Sequence, residues 1–475
     1  MTQYTPTLGL EIHAQLKTAS KMFCFCVNDP DEKRPNTTIC PICTGHPGTL
    51  PTANREAIRK VLMIGVAVGG TCADFTEFDR KHYFYPDIPK GYQISQYKHP
   101  LVTGGVLAGV PLTRIHLEED TARSTHDRGG ESLVDFNRSG LPLMELVTEP
   151  EIKSGAQAAE FARELQRLLR YLDAGAANME KGEMRVEANL SISSSEKLGT
   201  KVEVKNLNSF RAVERAVAFE IERHTELLER GESVVQETRG WDEGKQITVS
   251  QRQKEESHDY RYLPEPDIPP MLLSEFPEFS SEALRSSLPE LPWERRERYR
   301  KEFGLSDEQV ETLVDDGTLA DLFERTVASI PDSERKTLSV KVGNYITSDL
   351  VGLLRGDDRS REVPFSAEHF AELMMMIHKG ELSSRGGKDI LGYMYTGEGS
   401  PREIAARRDL LQSSDSESIA EMAREIVAEH ADAVAEYRAG KEAALQFLVG
   451  QGMKKSKGSA NPQVLREALL TELKV

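Results

Sequence analysis

Residues 9–17 decide the fold of this chain, and they read Gly-Leu-Glu-Ile-His-Ala-Gln-Leu-Lys. With the two-residue period of a β-strand, the apolar residues fall on one face and the polar residues on the other. The stretch therefore predicts a half-buried strand that presents Glu11 beside His13 on its open face. A carboxylate beside an imidazole suits a divalent cation, although an ordinary strand with a polar outer face has the same pattern.

Two later stretches, residues 183–192 and 201–206, alternate in the same way. Their polar faces mix acids and bases, including Arg185, Glu187, Glu203 and Lys205. Strands with one apolar and one charged face predict a mostly antiparallel sheet that is covered by helices on its apolar side. We expect these helices over residues 53–69, 154–172 and 209–230, and hence an α+β fold. A charged face of this kind suits Mg²⁺ together with a polyphosphate.

A further strand is predicted over residues 112–120, and it ends in three consecutive acids, Glu118, Glu119 and Asp120. Adjacent residues of a strand point to opposite faces, so Glu118 and Glu119 cannot both enter one site without a bulge. Three acids at the end of a strand are also typical of a solvated turn. Residues 135–150 then place more acids, Glu145 among them, between apolar residues.

Four of the five cysteines lie in one short segment, as the pairs Cys24/Cys26 and Cys40/Cys43. Two close pairs joined by a loop match the ligand set of tetrahedral zinc, and they predict a metal-stabilised loop over residues 24–50. Four free thiols in a reducing compartment are the alternative, and His46 is a possible substitute ligand. Cys72 lies apart and is expected to be a small core residue.

The totals restrict the class of protein. A length of 475 residues predicts about three domains. A net charge of −17 argues against a general nucleic-acid binder, so any RNA contact must be local. No apolar run is long enough to span a membrane, and residues 1–7 lack a signal pattern, so we expect a cytoplasmic protein. There is no P-loop motif, so a nucleotide must be held in another way.

From residue 291 onwards the sequence changes to charged, helical patterns with few strand signals. Residues 385–387, Arg-Gly-Gly, predict a helix break, and a linker is expected near Pro401. Lys454, Lys455 and Lys457 form a compact basic patch in an acidic chain. The patch is either a phosphate contact to RNA or a solvated helix end whose lysines complement the helix dipole.

The chain resembles a known family through motifs that are spread over its whole length. They are Gly-Leu-Glu-Ile-His at 9–13, Phe-Asp-Arg-Lys at 78–81, Tyr-Phe-Tyr-Pro-Asp at 83–87, Tyr-Gln-Ile-Ser-Gln at 92–96, His-Leu-Glu-Glu-Asp at 116–120, Lys-Asn-Leu-Asn-Ser-Phe at 205–210, Asp-Tyr-Arg-Tyr-Leu-Pro-Glu-Pro-Asp at 259–267, Phe-Leu-Val-Gly-Gln at 447–451, Lys-Gly at 457–458 and Asn-Pro at 461–462. They resemble the B subunits of the aspartyl/glutamyl-tRNA(Asn/Gln) amidotransferase, the GatCAB complex.

The resemblance implies three domains and a ligase activity. A cradle over residues 1–290 would be followed by a helical domain over 291–400 and a YqeY-like, tRNA-contacting tail over 401–475. The family phosphorylates glutamate or aspartate mischarged on tRNA with ATP and Mg²⁺, and ammonia from glutamine then displaces phosphate. The partners implied are a glutaminase A subunit and a C subunit in a heterotrimer, with mischarged tRNA as substrate and no membrane contact.

The resemblance also implies roles for individual residues. Catalysis and Mg²⁺ binding are expected at Glu11, His13, Glu119 and Glu145. Nucleotide contacts are expected at Lys81, Glu118, Glu187 and Lys205, structural zinc at Cys24, Cys26, Cys40 and Cys43, and tRNA contacts at Lys454, Lys455 and Lys457. The alternative is a non-catalytic, zinc-stabilised scaffold that binds tRNA. The pair of Glu11 and His13 beside a charged sheet favours the enzyme, because a scaffold has no need of it.

Overall fold

The computed structural model describes residues 4–126, 131–253, 261–355, 363–412, 416–456 and 460–474. The chain divides into two compact units, Met1–Pro292 and Trp293–Val475. The predicted domain limits at 290 and 400 stay predictions. Lys457 of the basic patch, and Asp259 and Tyr260 of the motif at 259–267, lie outside the described residues.

One large sheet and several short pairs make up the strands of the first unit. The strands are β1 Thr5–Gln15, β2 Thr71–Cys72, β3 Phe75–Thr76, β4 Asp79–His82, β5 Tyr92–Ser95, β6 Val102–Thr103, β7 Val106–Leu107, β8 Val110–Glu119, β9 Arg123–His126, β10 Ser132–Asp135, β11 Pro142–Thr148, β12 Met184–Ser193, β13 Val202–Leu207, β14 Glu237–Asp242, β15 Ile247–Gln253, β16 Leu263–Pro264 and β17 Met271–Leu272.

The large sheet has the order β15-β14-β13-β12-β1-β11-β8-β6-β2, with β7 paired to β8. Among the described strand pairs only β13 and β14 run parallel. The strand predicted from residues 9–17 is thus an inner strand, flanked by β12 and β11. Because an inner strand has a neighbour on each side, its polar face is surrounded by side chains from other strands.

Helices cover the apolar face of this sheet, and the predicted α+β class is confirmed. The unit contains α1 Arg55–Ala67, α2 Gly155–Tyr171, α3 Phe210–Glu229 and α4 Ser281–Ser286, with 3₁₀ turns at Leu273–Glu275 and Pro277–Phe279. Asn54, Ser154 and Ser209 cap the first three helices through their side chains. Leu8, Leu10, Ile12 and Ala14 of β1 are fully buried, so the predicted apolar face is part of the core.

The described part of the second unit is helical. Its helices are α5 Pro292–Phe303, α6 Asp307–Asp315, α7 Gly317–Ala328, α8 Asp332–Asn344, α9 Val351–Arg355, α10 Ala367–His378, α11 Ser384–Tyr395, α12 Pro401–Arg407, α13 Ser416–Glu429, α14 Ala431–Arg438, α15 Ala443–Lys455 and α16 Pro462–Leu473, with a π-helical stretch at Tyr345–Leu350. The helices α13, α15 and α16 share a core that includes Ile426, Leu448 and Leu469.

The break predicted at residues 385–387 is wrong, because these residues lie in the first turns of α11. Ser383 caps the helix by accepting a hydrogen bond from the Gly386 amide. A Cβ atom at Gly387 would lie 2.5 Å from Ile377 Cδ1, so the glycine permits close helix packing. None of the helices in the described residues is both long enough and apolar enough to cross a bilayer.

Candidate active site and cysteine cluster

The polar face of β1 is the starting point of the site. His13 lies opposite Glu145 of β11 on one side and opposite Arg185 of β12 on the other. Glu145 in turn lies opposite His116 of β8. Directly opposed residues of antiparallel strands point to the same face, so the register alone brings these side chains together.

The distances define a compact group, which we call the acid cluster: Glu11, His13, His116, Glu118 and Glu145. His13 Nε2 lies 3.4 Å from Glu118 Oε1, 3.4 Å from Glu145 Oε2 and 3.9 Å from Glu11 Oε1. Two overlapping triplets, Glu11/His13/Glu145 and His116/Glu118/Glu145, each have their potential ligand atoms within 4.8 Å of one another. Such a donor set of carboxylates and imidazoles fits a divalent cation.

Basic side chains border the acid cluster. Arg114 Nη2 lies 3.4 Å from Glu145 Oε1, and Lys205 Nζ lies 2.9 Å from Glu187 Oε2. Burial works against the charge of Lys81, but Glu118 and Glu145 raise the pKa of this lysine above its ordinary value. The predicted nucleotide contacts Lys81, Glu118, Glu187 and Lys205 therefore lie in or beside the cluster. The mixture of acids and cations is the one expected for a metal with phosphate groups.

The cluster shifts the titration of its own members. Burial and the neighbouring Glu145 raise the pKa of Glu11 to about 7. Burial would lower the pKa of His13, but Glu118 and Glu145 raise it to about 10. Burial would raise the pKa of Glu145, but His116, His13 and Lys81 hold it well below its usual range. Without a bound cation, the surrounding carboxylates thus favour the protonated form of His13.

Glu119 does not join the acid cluster, and its predicted place there needs correction. It follows Glu118 on β8, so its side chain points to the other face of the sheet. There its carboxylate pairs with Lys90 at 2.6 Å and accepts a hydrogen bond from the Ile94 amide at 3.0 Å. Glu118 takes the place expected of Glu119, with Ser95 donating to its Oε2 at 3.2 Å.

His116 and Arg114 were not predicted as site residues, and Asp120 was predicted only as one of three acids at the end of a strand. His116 and Asp120 lie two residues either side of Glu118, so strand alternation from Glu118 could have found both. Asp120 is buried and holds Arg138 at 2.6 Å and Arg185 at 2.8 Å. These pairs fix the end of β8 beside the cluster. Arg114 lies on the same face of β8, and the register of β8 against β11 brings it to Glu145.

The cysteine pairs meet as predicted, with the Sγ atoms of Cys24, Cys26, Cys40 and Cys43 within 4.8 Å of one another. We call this group the cysteine cluster. The hydrogen bond from Cys24 lowers the pKa of Cys43 to about 5 against the effect of burial, and Lys21 acts in the same direction. His46 is not part of the group but lines an adjacent cavity of about 170 Å³, together with Lys90 and Glu119. Cys72 lies apart and is half-buried.

The basic patch of the tail lies at the end of α15. Lys454 is exposed, whereas Lys455 Nζ forms ion pairs with Glu425 and Glu429, each at 2.8 Å. Two carboxylates therefore compete with any phosphate for Lys455.

Comparison with known proteins connects the acid cluster with a family. The profile of the GatB/GatE catalytic domain matches residues 6–276, which contain the whole cluster, and the profile of the GatB domain matches residues 321–473. The chain belongs to the GatB family. It is similar to the B subunit of the aspartyl/glutamyl-tRNA(Asn/Gln) amidotransferase of Picosynechococcus sp., at 42% identity over 100% of this chain and 98% of the relative.

Two further relatives carry the same name. The protein of Thermomicrobium roseum is 43% identical over 98% of each chain, and that of Thermotoga maritima is 42% identical over 97% of each chain. The predicted family, and with it the prediction of an amidotransferase B subunit and ligase, is confirmed. That these relatives are named as subunits also agrees with the predicted membership of a multi-subunit complex.

Proposed function

We propose that this chain phosphorylates the side-chain carboxylate of glutamate on tRNA(Gln), of aspartate on tRNA(Asn), or of both. The observation that carries the proposal is the acid cluster on the open face of the sheet, bordered by Lys81, Arg114 and Lys205. A carboxylate is a poor acylating group until one of its oxygens becomes a leaving group, and phosphorylation provides this. We infer the substrate from the family, and the binding of metal and phosphate from the residues of the site.

The acid cluster fits Mg²⁺, because Glu145 belongs to two groups of convergent ligand atoms, Glu11/His13/Glu145 and His116/Glu118/Glu145. Glu145 would hold the ion together with either Glu11 or Glu118, and His13 would be a further ligand beside Glu11 once it has lost its proton. Bound Mg²⁺ would neutralise charge on the transferred phosphoryl group and fix its orientation. Lys81, Arg114 and Lys205 would hold the remaining phosphoryl oxygens, and the wall of the sheet would limit access of water.

The reaction balances in two steps. A side-chain carboxylate oxygen of the aminoacyl-tRNA attacks the γ-phosphorus of ATP, and ADP leaves. Ammonia then attacks the acyl carbon, the bond from this carbon to the bridging oxygen breaks, and inorganic phosphate leaves with that oxygen. The products are Gln-tRNA(Gln) or Asn-tRNA(Asn). We expect a glutaminase A subunit to supply the ammonia and a C subunit to complete a heterotrimer.

Reconstitution tests this proposal. The chain, combined with its A and C partners, is assayed separately on Glu-tRNA(Gln) and Asp-tRNA(Asn), with and without ATP and Mg²⁺. We expect amidation of at least one substrate that needs both ATP and Mg²⁺. Amidation that proceeds at the same rate without ATP would contradict a carboxylate-activating role.

The cysteine cluster is proposed to bind one structural zinc ion per chain. Its four thiols converge from an irregular loop, as a closed tetrahedral site requires, and zinc at such a site contributes directly to folding. We expect elemental analysis to find one zinc per chain, and Cys43→Ser to lose zinc and destabilise residues 24–50. Cys72→Ser is the control and should keep the metal. A wild-type chain that is free of metal after purification without chelator would exclude the site.

The basic patch is proposed to contribute tRNA affinity without entering the chemistry. Replacing Lys454, Lys455 and Lys457 by Ala should raise the KM for tRNA. It should also reduce the slope of log affinity against log salt concentration by about one to two, less than three lost phosphate contacts would give, because Glu425 and Glu429 already pair with Lys455. The rate at saturating tRNA should stay the same. Lys301→Ala, on α5, is the control. Unaltered affinity and salt slope in the triple variant would place the RNA contact elsewhere.

A further inference from the structure

Lys21 is one of the largest fully buried side chains of the described residues, with 0% of its surface exposed. Its Nζ atom donates a hydrogen bond to the backbone carbonyl of Ser139 at 2.7 Å and lies 3.4 Å from that of Phe136. It also lies 3.8 Å from Cys43 Sγ. In the described part of the chain, no carboxylate lies within ion-pair distance of this ammonium group, since Glu119 pairs with Lys90 instead.

A buried ammonium group without an opposite charge is costly, because two neutral carbonyl groups replace only part of its hydration. Among the residues that the structure describes, the source of negative charge in contact with Lys21 is the cysteine cluster, through Cys43. Zinc with four thiolates carries a net double negative charge, which is itself costly to bury without a nearby cation. The ammonium group of Lys21 and the zinc–thiolate group would therefore each act as the counter-charge of the other.

Lys21 also joins the cysteine loop to the segment that leads into β11. Its two carbonyl partners belong to residues 136–139, and Ser139 Oγ donates back to the carbonyl of Cys43 at 2.9 Å. The amide of Met22 donates to the carbonyl of Gly140 at 2.7 Å. Gly140 has a φ of +84°, and a Cβ atom there would lie 3.2 Å from Cys43 Cβ, so the two segments pack closely. Two residues after Gly140, β11 begins and carries Glu145 to the acid cluster.

We propose that Lys21 is the counter-ion of a metal-bound cysteine cluster and so a residue that sets the zinc affinity of this chain. The inference rests on the proposed zinc site. Outer residues that interact with metal ligands commonly change metal affinity by about 10–100-fold when they are replaced, although they do not touch the metal. Lys21 differs from most of them because its contribution is a full charge on a fully buried side chain.

The test compares zinc affinity in full-length variants, measured by competition with a chromophoric chelator. Lys21→Gln keeps an amide that can donate to the Ser139 carbonyl but removes the charge, and we expect it to bind zinc about 10–100-fold more weakly. Lys21→Arg keeps the charge and should stay within a few-fold of the wild type. Lys60→Gln is the matched control, since Lys60 is also buried and donates to the backbone carbonyl of Asp173 but has the Glu56 carboxylate as a counter-charge. It should bind zinc like the wild type.

The possible results distinguish a failure of the role proposed for Lys21 from a failure of the proposed zinc site. A wild type with zinc and a Lys21→Gln variant of equal affinity would overturn the role of Lys21 and leave the zinc site standing. A wild type without zinc would overturn both. An equal loss in Lys21→Arg and Lys21→Gln would also overturn the proposal, because packing and not charge would then be the cause. If circular dichroism shows that Lys21→Gln does not fold, Lys21→Met, which buries no unpaired amide, takes its place under the same expectations.

Discussion

Glu145→Gln is expected to slow amidation of mischarged tRNA by at least about a hundredfold, the scale seen when one group that stabilises transferred charge is removed. Glu145 is the one residue shared by both ligand triplets, and it also contacts Arg114. The amide that replaces it cannot hold a divalent cation with the same strength and leaves His13 and Arg114 with less compensating charge. Amidation is measured in the reconstituted complex, with glutamine hydrolysis by the glutaminase partner recorded in parallel.

Glutamine hydrolysis should persist in this variant, because the proposed site acts on the tRNA-bound carboxylate and not on glutamine. Glu149→Gln is the matched control. It lies just after β11 and accepts a hydrogen bond from Thr113 at 2.8 Å, outside the acid cluster. It should amidate at nearly the wild-type rate. Near-normal amidation by Glu145→Gln would remove the acid cluster from the chemistry and favour the alternative of a tRNA-binding scaffold.

The second large effect distinguishes two adjacent carboxylates. Glu118→Gln is expected to lose amidation by about a hundredfold or more, because Glu118 Oε1 faces His13 in the cluster. Glu119→Gln is expected to amidate at close to the wild-type rate per folded molecule. The free energy of unfolding of this variant should fall by about 1–3 kcal/mol, because the mostly buried ammonium group of Lys90 loses its carboxylate partner.

Single-turnover amidation and thermal unfolding, measured on the same preparations, separate the two effects. Glu118→Gln should change the rate more than the melting temperature, and Glu119→Gln should do the opposite. The reverse assignment, with Glu119 essential for the rate and Glu118 dispensable, would show that the register of β8 against β11 does not describe the working site.

The central strand, with Glu11 and His13 on its polar face, could be predicted because the signal is local. In residues 9–17 the apolar and polar residues alternate without exception between Leu10 and Lys17, and a two-residue period leaves one face for the core. The same rule predicted β12 and β13, and with them the place of Glu187 and Lys205. The cysteine pairs were equally readable, because four potential ligands of one metal lie within a single loop.

The features of the site that could not be predicted from the sequence depend on contacts between distant segments of the chain. Alternation shows that the side chains of Glu118 and Glu119 point to opposite faces of the sheet. Only the pairing of β8 with β11 decides which of them lies beside His13. Lys21 looks like any lysine, because its burial depends on carbonyls more than a hundred residues away. The glycines at 386 and 387 resembled a break because the role of Gly387 in the helix, close packing against Ile377, is a tertiary contact.

The most direct test of the proposed chemistry follows an oxygen atom. Mischarged tRNA that carries ¹⁸O in both side-chain carboxylate oxygens is amidated by the reconstituted complex, and the released phosphate is examined by mass spectrometry. If the carboxylate is phosphorylated, one ¹⁸O atom passes into phosphate for each amide formed, because the bond from the acyl carbon to the bridging oxygen breaks. Phosphate without ¹⁸O, at normal amide yield, would contradict the account, since ATP would then be hydrolysed by water and the carboxylate activated in another way.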